Sequence, residues 1–266
     1  MSADSYRQPT LDRNKLNKRP EAIPIAIGSQ QPEAKNMKIG VLIFPGSNCD
    51  KDAVWAFQNM FGQEVVELWH KDTDLQNVDL VFLPGGFSYG DYLRSGAIAR
   101  FSPIMQSVIE FANNGGLVWG VCNGFQILCE SGLLPGALLH NDHQKFNCKN
   151  VFIKTETNNS KITSLNEVGK ALKIPIAHGE GRFYCNDELL IDLKANDQIL
   201  FRYCDENGNV SVETNPNGAL DNIAGICNKN RNVFGMMPHP ERAVDADIYN
   251  TDGRIMFESL LQLVNS

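Results

Sequence analysis

An apolar strand runs directly into a cysteine held between two glycines, at residues 118–126, VWGVCNGFQ. Gly120 and Gly124 lack the Cβ atoms that would clash in a sharp turn from a strand into a helix. We therefore predict a strand, a tight turn centred on Cys122, and a helix that begins at once. The helix would direct its first N–H groups at the sulfur and stabilise a thiolate. A lone cysteine is more often a buried structural residue, so the residues that accompany Cys122 decide between the two interpretations.

The composition is that of an ordinary globular protein with one main domain. Of the 266 residues 42% are hydrophobic and 21% charged, and the net charge is −7. This acidity argues against a general binder of nucleic acid or anionic membranes. No apolar run approaches the roughly 18–20 residues that span a bilayer, and the apolar stretch 22–27 contains Pro24, so no signal peptide is expected. Seven scattered cysteines then favour free thiols in a reducing cytoplasm.

The chain divides into a polar N-terminal extension, residues 1–36, and a domain over residues 37–266. The extension holds four prolines and shows no sustained helical or alternating period. After it, buried strand patterns alternate with helical patterns, which predicts an α/β fold with a mostly parallel sheet. Shorter strand-like runs over 136–213 predict an antiparallel elaboration. The expected strands are 38–44, 65–69, 79–83, 116–121, 151–154, 171–177, 198–203, 210–213, 223–227 and 232–236, and the expected helices begin near Asp50 and cover 103–114 and 254–264.

A second strand end, after the run 79–83, carries the glycine pair Gly85-Gly86. Glycines there let backbone N–H groups turn inward, at the edge of the sheet where α/β proteins gather functional groups. An inward N–H near Gly86, paired with the N–H of Asn123, would form an oxyanion hole. An ordinary glycine-rich loop explains the same residues equally well.

A third strand end carries a histidine between two prolines, in the sequence PHPER at 238–242. The prolines fix the backbone, so the direction of the His239 ring is set at little entropic cost. Glu241 lies two residues on, where its carboxylate can reach one imidazole nitrogen and fix the tautomer. Together with the cysteine elbow, these residues predict a catalytic set in which Cys122 is the nucleophile, His239 the base and Glu241 the orienting group.

Other chemically suggestive residues have plainer interpretations. Cys49 also follows a strand, but it lacks a glycine two residues on and has no second His-x-Glu available, so we expect it to stabilise its loop. His178 and Glu180 have the residue types of an alternative catalytic base and orienting carboxylate, in place of His239 and Glu241. We expect them in a loop near the mouth of the pocket or at a subunit contact, with Arg182 as the ion-pair partner of Glu180.

Two further groups of residues lie outside the predicted catalytic set. Arg94 and Arg100 could contact a partner protein or a substrate carboxylate, or could be solvated surface residues. His140, His143 and Cys148 have the residue types of a metal site, but a fourth ligand at suitable spacing is missing. We therefore expect no metal.

The motif Gly120-x-Cys122-x-Gly124-x-Gln126, together with PHPE at 238–241, resembles the triad signature of class I glutamine amidotransferases. The segment 84–100, PGGFSYGDYLRSGAIAR, with 44–50 and 177–183, narrows the resemblance to the glutaminase subunits of phosphoribosylformylglycinamidine synthase, an enzyme of purine biosynthesis. The resemblance runs from about Met37 to the last residue of the sequence. It leaves the extension 1–36 unexplained.

The resemblance implies a three-layer α/β/α, flavodoxin-like fold and a glutaminase activity. Cys122 would attack the side-chain amide of glutamine, His239 would transfer protons and Glu241 would orient His239. The N–H groups near Gly86 and Asn123 would hold the oxyanion, and Gln126 would help to bind the substrate.

By the same resemblance, the ammonia goes to a separate synthetase subunit that converts formylglycinamide ribonucleotide to the amidine, with a small third subunit as a bridge. The sequence lacks G-x-x-x-x-G-K-[ST], so we expect no cofactor in this chain and expect ATP and magnesium in the synthetase. Two alternatives stay open, namely another class I amidotransferase and a non-catalytic scaffold with the same fold.

Overall fold

The computed structural model describes residues 36–262. The predicted extension 1–36 therefore lies outside the described residues, apart from Asn36. The strands are β1 Lys38–Ile43, β2 Glu64–Trp69, β3 Leu80–Leu83, β4 Leu117–Val121, β5 Ala137–Leu139, β6 Asn147–Thr155, β7 Ala171–His178, β8 Arg182–Tyr184, β9 Ile199–Cys204, β10 Ile223–Cys227 and β11 Val233–Met236. The helices are α1 Asp50–Trp55, continued by a π-helical segment over Ala56–Met60, α2 Pro103–Asn113, α3 Asn123–Glu130, α4 Asp187–Ala195 and α5 Arg254–Gln262.

Nine strands form one mixed sheet in the order β2-β1-β3-β4-β11-β10-β9-β6-β7. From β2 to β11 all neighbours are parallel, and from β11 to β7 all neighbours are antiparallel. Strands β5 and β8 pair separately. The predicted α/β sheet with an antiparallel elaboration is thus confirmed.

Helices cover both faces of the sheet, as side-chain alternation along β4 shows. The Trp119 ring lies on one face, where it packs against Phe82 of β3 and Phe257 of α5, with ring centroids 5.5 and 5.1 Å apart. On the opposite face a Cβ at Gly120 would come within 2.6 Å of Leu128 of α3. Gly120 has no side chain on this face, which lets α3 pack close to the carboxyl end of β4.

The prediction of a strand at 210–213 is wrong. These residues form a turn instead, in which the Thr214 hydroxyl donates to the carbonyl of Ser211 at 2.9 Å and accepts from the Ser211 N–H at 3.1 Å. Local side-chain bonding of this kind competes with strand pairing. Helix α4 was not expected from the sequence; Asn186 caps it by accepting the Leu189 N–H at 2.9 Å. Among the helices over residues 36–262, none is both long and apolar enough to cross a membrane.

Candidate active site

Three strand ends meet at the centre of the sheet. β3, β4 and β11 are neighbours and run parallel, with Leu83 opposite Gly120 and Val121 opposite Met236. Because parallel strands end at the same edge, the segments that follow them converge there. These segments carry Gly86, Cys122 and His239.

Cys122 occupies the turn between β4 and α3, as predicted. Its backbone has φ 52° and ψ −108°, a conformation that is strained for a residue with a Cβ. The turn is held because the Cys122 N–H donates to the Met236 carbonyl at 2.8 Å, while the Cys122 carbonyl accepts from Gln126 N–H at 3.1 Å. The side chain is buried at 4% exposure but lines a cavity of about 190 Å³. The strain and the cavity together place a cysteine sulfur where a small molecule can reach it.

The glycines around the elbow are required by close contacts. A Cβ at Gly124 would overlap the Leu83 carbonyl oxygen, so only glycine lets α3 begin this close to β3. Gly86 has φ +138°, and a Cβ there would lie 2.8 Å from the Asn48 nitrogen. Gly86 lines the same cavity as Cys122. Asn123 is the first residue of α3, so its N–H belongs to the free donors at a helix start.

His239 and Glu241 form a fully buried pair. His239 Nδ1 lies 2.6 Å from Glu241 Oε1, with side-chain exposures of 1% and 0%. The backbone is fixed further because the His239 N–H donates to the Pro175 carbonyl at 2.8 Å. Burial alone would lower the pKa of His239, but Glu241 and the neighbouring Cys122 thiol outweigh it and hold that pKa well above its usual value. Nε2 has no hydrogen-bond partner within residues 36–262, which leaves it available to Cys122.

Cys49 lies much closer to the catalytic set than its predicted loop role implies. Its sulfur donates to Asn48 Oδ1 at 3.1 Å, which fits loop stabilisation, and accepts from Arg242 Nη2 at 3.2 Å. The Cys49 sulfur also lies near His239 and Glu241. The sulfur, one ring nitrogen of His239 and one carboxylate oxygen of Glu241 are all within 4.8 Å of one another. Burial raises the pKa of the Cys49 thiol. The sequence contains no local signal for this contact, because it depends on the packing of the β1–α1 loop against the segment after β11.

Asn123 and Gln126 form one hydrogen-bonded network with the cavity wall. The Asn123 side chain accepts from the Ser88 N–H at 3.2 Å and donates from Nδ2 to Gln126 Oε1 at 2.9 Å. Gln126 Nε2 in turn donates to the Glu180 carbonyl at 2.6 Å. Gln126 lines the cavity, and both ends of its amide already have protein partners, so its predicted contact with a substrate stays a prediction. These bonds fix the loop after β7 against α3.

The arginines have protein partners outside the cavity. Arg94 forms a two-point pair with Glu130, at 2.6 and 2.7 Å, and Arg100 donates to the Glu130 carbonyl at 2.9 Å. The expected ion pair between Glu180 and Arg182 is wrong. Glu180 instead lies 3.6 Å from His140, because Arg182 begins β8 and follows that strand away from the loop.

The residues His140, His143 and Cys148 do not meet as ligands of one ion in the described part of the chain. His143 Nε2 lies 3.1 Å from the Pro216 carbonyl, His140 pairs with Glu180, and Cys148 is exposed on β6. Within residues 36–262, the possible ligand atoms of Cys49, His239 and Glu241 do lie close enough together to hold one metal ion. This group shares His239 and Glu241 with the candidate catalytic set but contains Cys49 in place of Cys122.

The comparisons with known proteins agree with this geometry. A family model described as a CobB/CobQ-like glutamine amidotransferase domain matches residues 36–256. The match defines the class of the chain as a glutamine amidotransferase, the class that the elbow and the PHPE segment resemble.

Individual relatives narrow the class. Phosphoribosylformylglycinamidine synthase subunit PurQ of Koribacter versatilis is 56% identical over 225 residues, which cover 85% of this chain and 97% of the relative. The subunit of the same name from Salinibacter ruber is 52% identical over 228 residues, 86% of this chain and 97% of its own. Among solved structures, PurLQS from Thermotoga maritima matches with a TM-score of 0.76 and 42% identity, over 86% of this chain and 99% of the matched chain. The chain belongs to the PurQ family of phosphoribosylformylglycinamidine synthase subunits.

Proposed function

We propose that Cys122, His239 and Glu241 hydrolyse glutamine and that the chain supplies the ammonia used by phosphoribosylformylglycinamidine synthase. The observation that carries this proposal is the convergence of a strained, cavity-lining cysteine and a buried histidine–glutamate pair at adjacent strand ends. A non-catalytic scaffold would have no reason to keep either the strain at Cys122 or the fully buried ion pair.

In the first half of the reaction the Cys122 proton passes to His239 Nε2 and the sulfur attacks the side-chain carbonyl carbon of glutamine. The negative charge then lies on the carbonyl oxygen, where the N–H groups of Gly86 and Asn123 stabilise it. Losing one such donor typically costs about 3 kcal/mol of transition-state stabilisation. His239 returns the proton to the amide nitrogen, the C–N bond breaks and ammonia leaves. The glutamyl group remains on Cys122 as a thioester.

In the second half His239 removes a proton from water, and the resulting hydroxide attacks the thioester carbon. The C–S bond breaks, glutamate leaves, and the proton held by His239 restores the Cys122 thiol. Glu241 holds His239 through Nδ1, so that Nε2 faces the reacting atoms, and it stabilises the imidazolium that forms in both halves.

The ammonia passes to a separate synthetase subunit, and a small subunit bridges the two. The Thermotoga maritima structure, which is of a complex named PurLQS, supports this arrangement. ATP and magnesium belong to the synthetase, where phosphorylation would activate formylglycinamide ribonucleotide for attack by ammonia. The seven cysteines are all free thiols in the structure, which favours the cytoplasm as the site of action.

Labelling with a glutamine-analogue electrophile tests the nucleophile. We expect 6-diazo-5-oxo-L-norleucine to modify the holoenzyme complex at Cys122, as located by peptide mass spectrometry, and Cys122→Ser to abolish both labelling and glutaminase activity. Cys49→Ser is the matched control, because it removes the other buried thiol beside His239, and it should still be labelled at Cys122. Labelling that moves to Cys49, or that persists in Cys122→Ser, would contradict the assignment.

The division of work between subunits has its own test. The assembled complex with Cys122→Ser should lose synthesis from glutamine and keep synthesis from ammonium salts. Loss of both activities in a complex that still assembles would show that this chain contributes more than ammonia.

A further inference from the structure

A buried cluster of possible metal ligands lies beside Cys122, and the mechanism above uses only part of it. The cluster consists of the Cys49 sulfur, one ring nitrogen of His239 and one carboxylate oxygen of Glu241, all within 4.8 Å of one another. Cys49 is 3% exposed, and the side chains of His239 and Glu241 are 1% and 0% exposed. A Cβ added at Gly85 would contact both Cys49 and Cys122. We call Cys49, His239 and Glu241 the ligand cluster.

Two atoms of the ligand cluster have no hydrogen-bond partner among residues 36–262. They are His239 Nε2 and Glu241 Oε2, and both are buried. The other two heteroatoms of these side chains, His239 Nδ1 and Glu241 Oε1, pair with each other at 2.6 Å. A buried nitrogen or oxygen without a partner carries a desolvation cost, which a bound cation removes.

The residue types in the cluster are those that Zn²⁺ prefers in proteins. Thiolate sulfur, imidazole nitrogen and carboxylate oxygen bond to zinc at about 2.3, 2.0–2.1 and 2.0–2.2 Å, so the corners of the coordination tetrahedron lie roughly 3.5 Å apart. Ligand atoms that are already within 4.8 Å of one another reach this spacing through shifts of about 1 Å. Mg²⁺ instead prefers six oxygen ligands, so the cluster discriminates against it.

A guanidinium group also contacts the cluster, and a carboxylate balances its charge. Arg242 Nη2 donates to the Cys49 sulfur at 3.2 Å, and Arg242 Nε donates to Asp52 Oδ2 at 2.8 Å. Hydrogen bonds from neighbouring groups orient metal ligands in this way. Because Asp52 offsets the charge of Arg242, the thiolate and the carboxylate of the cluster together match the charge of one divalent ion.

A second cavity, of about 260 Å³, has Glu241 in its wall. Its lining residues differ from those of the Cys122 cavity and are Asp52, Trp55, Glu241, Arg242, Asp245 and Ile248. Three carboxylates and one guanidinium give this cavity a surplus of negative charge, which attracts cations. It therefore offers a metal ion an approach to Glu241 that does not pass through the Cys122 cavity.

We propose that Cys49, His239 and Glu241 bind Zn²⁺ as an inhibitory ion. The ion takes the place of the Cys49 thiol proton and of the proton that His239 carries. An ion on Nε2 prevents the ring from accepting the Cys122 proton, and an ion on Nδ1 separates the ring from Glu241. Either bond stops proton transfer and therefore glutamine hydrolysis. Binding of the ion is independent of the proposed glutaminase function, and its inhibitory effect rests on that function.

The first test measures glutamate release from glutamine by the assembled synthase complex at buffered concentrations of free Zn²⁺. We expect zinc to stop the reaction and a zinc-selective chelator to restore it. Cys49→Ser should raise the half-inhibitory zinc concentration at least ~30-fold, since even a neighbour that orients a metal ligand contributes about 10- to 100-fold. Cys148→Ser is the matched control, because it removes an exposed thiol, and should shift this concentration less than about twofold. An unchanged concentration for Cys49→Ser, or a larger shift for Cys148→Ser, would overturn the proposal.

The second test detects the metal without any activity. Co²⁺ is the probe, because a cobalt–thiolate bond has its own charge-transfer absorption, and the protein is the assembled complex with Cys122→Ser, which removes the catalytic thiol. We expect this absorption to fall by the amplitude of one thiolate when Cys49→Ser is added. Glu241→Gln, added instead, should weaken Co²⁺ binding at least ~10-fold and provides a second measurement that leaves Cys49 in place.

The outcomes separate this proposal from the proposed function. Cobalt absorption and affinity that change with neither added substitution would refute the metal site, even in a complex whose wild-type form hydrolyses glutamine. A wild-type complex that uses ammonia but does not hydrolyse glutamine, while the cobalt absorption depends on Cys49, would refute the proposed function and leave the metal site intact.

Discussion

Glu241→Gln is the most demanding single test of the catalytic geometry. The substitution keeps the side-chain shape but removes the negative charge 2.6 Å from His239 Nδ1. At an effective dielectric constant of 20, opposite unit charges at that separation attract by about 6 kcal/mol, and breaking a buried pair typically costs ~3–5 kcal/mol. The side-chain exposures of 1% and 0% exclude solvent screening. In addition, the amide NH₂ would favour the tautomer protonated at Nε2, which cannot accept the Cys122 proton.

The expected result is a fall in glutaminase kcat of between about 100-fold and 10,000-fold, because each 1.36 kcal/mol changes a rate tenfold. Glu241 raises the pKa of His239, and the imidazolium is lost as the pH rises through that pKa. Because His239 must be neutral to accept the Cys122 proton, the acid limb of kcat/KM should move to lower pH in the variant. Steady-state kinetics from pH 5 to pH 10, with the exposed Asp247→Asn as a control of equal charge change, measure both effects. A variant within about fivefold of wild type, with an unmoved acid limb, would refute the reasoning.

Two further substitutions probe the surroundings of the triad. Cys49→Ser should keep glutaminase activity within about tenfold, because Ser can still accept from Arg242 and donate to Asn48, and activity below 1% in steady-state assays would make Cys49 part of the chemistry. Gly124→Ala should lower the free energy of unfolding by at least ~2 kcal/mol, since the new Cβ overlaps the Leu83 carbonyl and forces α3 outward. Denaturant titration measures that loss, and an unchanged midpoint would show that the elbow can relax.

The sequence predicts the parallel strands and the backbone around Cys122 and His239 well, because the residues that determine them are close together in the sequence. A glycine on each side of Cys122 and a proline on each side of His239 fix backbone geometry over a few residues. Parallel strands then bring separate segments together, since their ends share an edge. The strand runs and the elbow could therefore be placed before any contact was known, and the roles given to individual site residues stay predictions.

The predictions from the sequence are wrong where interacting residues are distant in sequence, or where a local hydrogen bond from a polar side chain decides between a strand and a turn. Arg182 is two residues from Glu180, yet the turn into β8 carries it away and His140 becomes the partner. The run at 210–213 has the composition of a strand, but the Thr214 hydroxyl closes a turn. Cys49 reaches His239 through a contact that joins residues almost two hundred positions apart, which no local pattern encodes.

The candidate catalytic residues and the residues of the cavity wall lie in different kinds of structure in this fold. Cys122 and His239 follow neighbouring strands of the rigid sheet, and Gly124 leaves α3 no room to shift. Asp91 and Glu180 lie instead on irregular loops. Asn123 connects the two, because its backbone begins α3 directly after Cys122 while its side chain donates to Asp91. A substitution in the loops should therefore alter the cavity wall while Cys122 and His239 stay in place, whereas a substitution at Asn123 would disturb both.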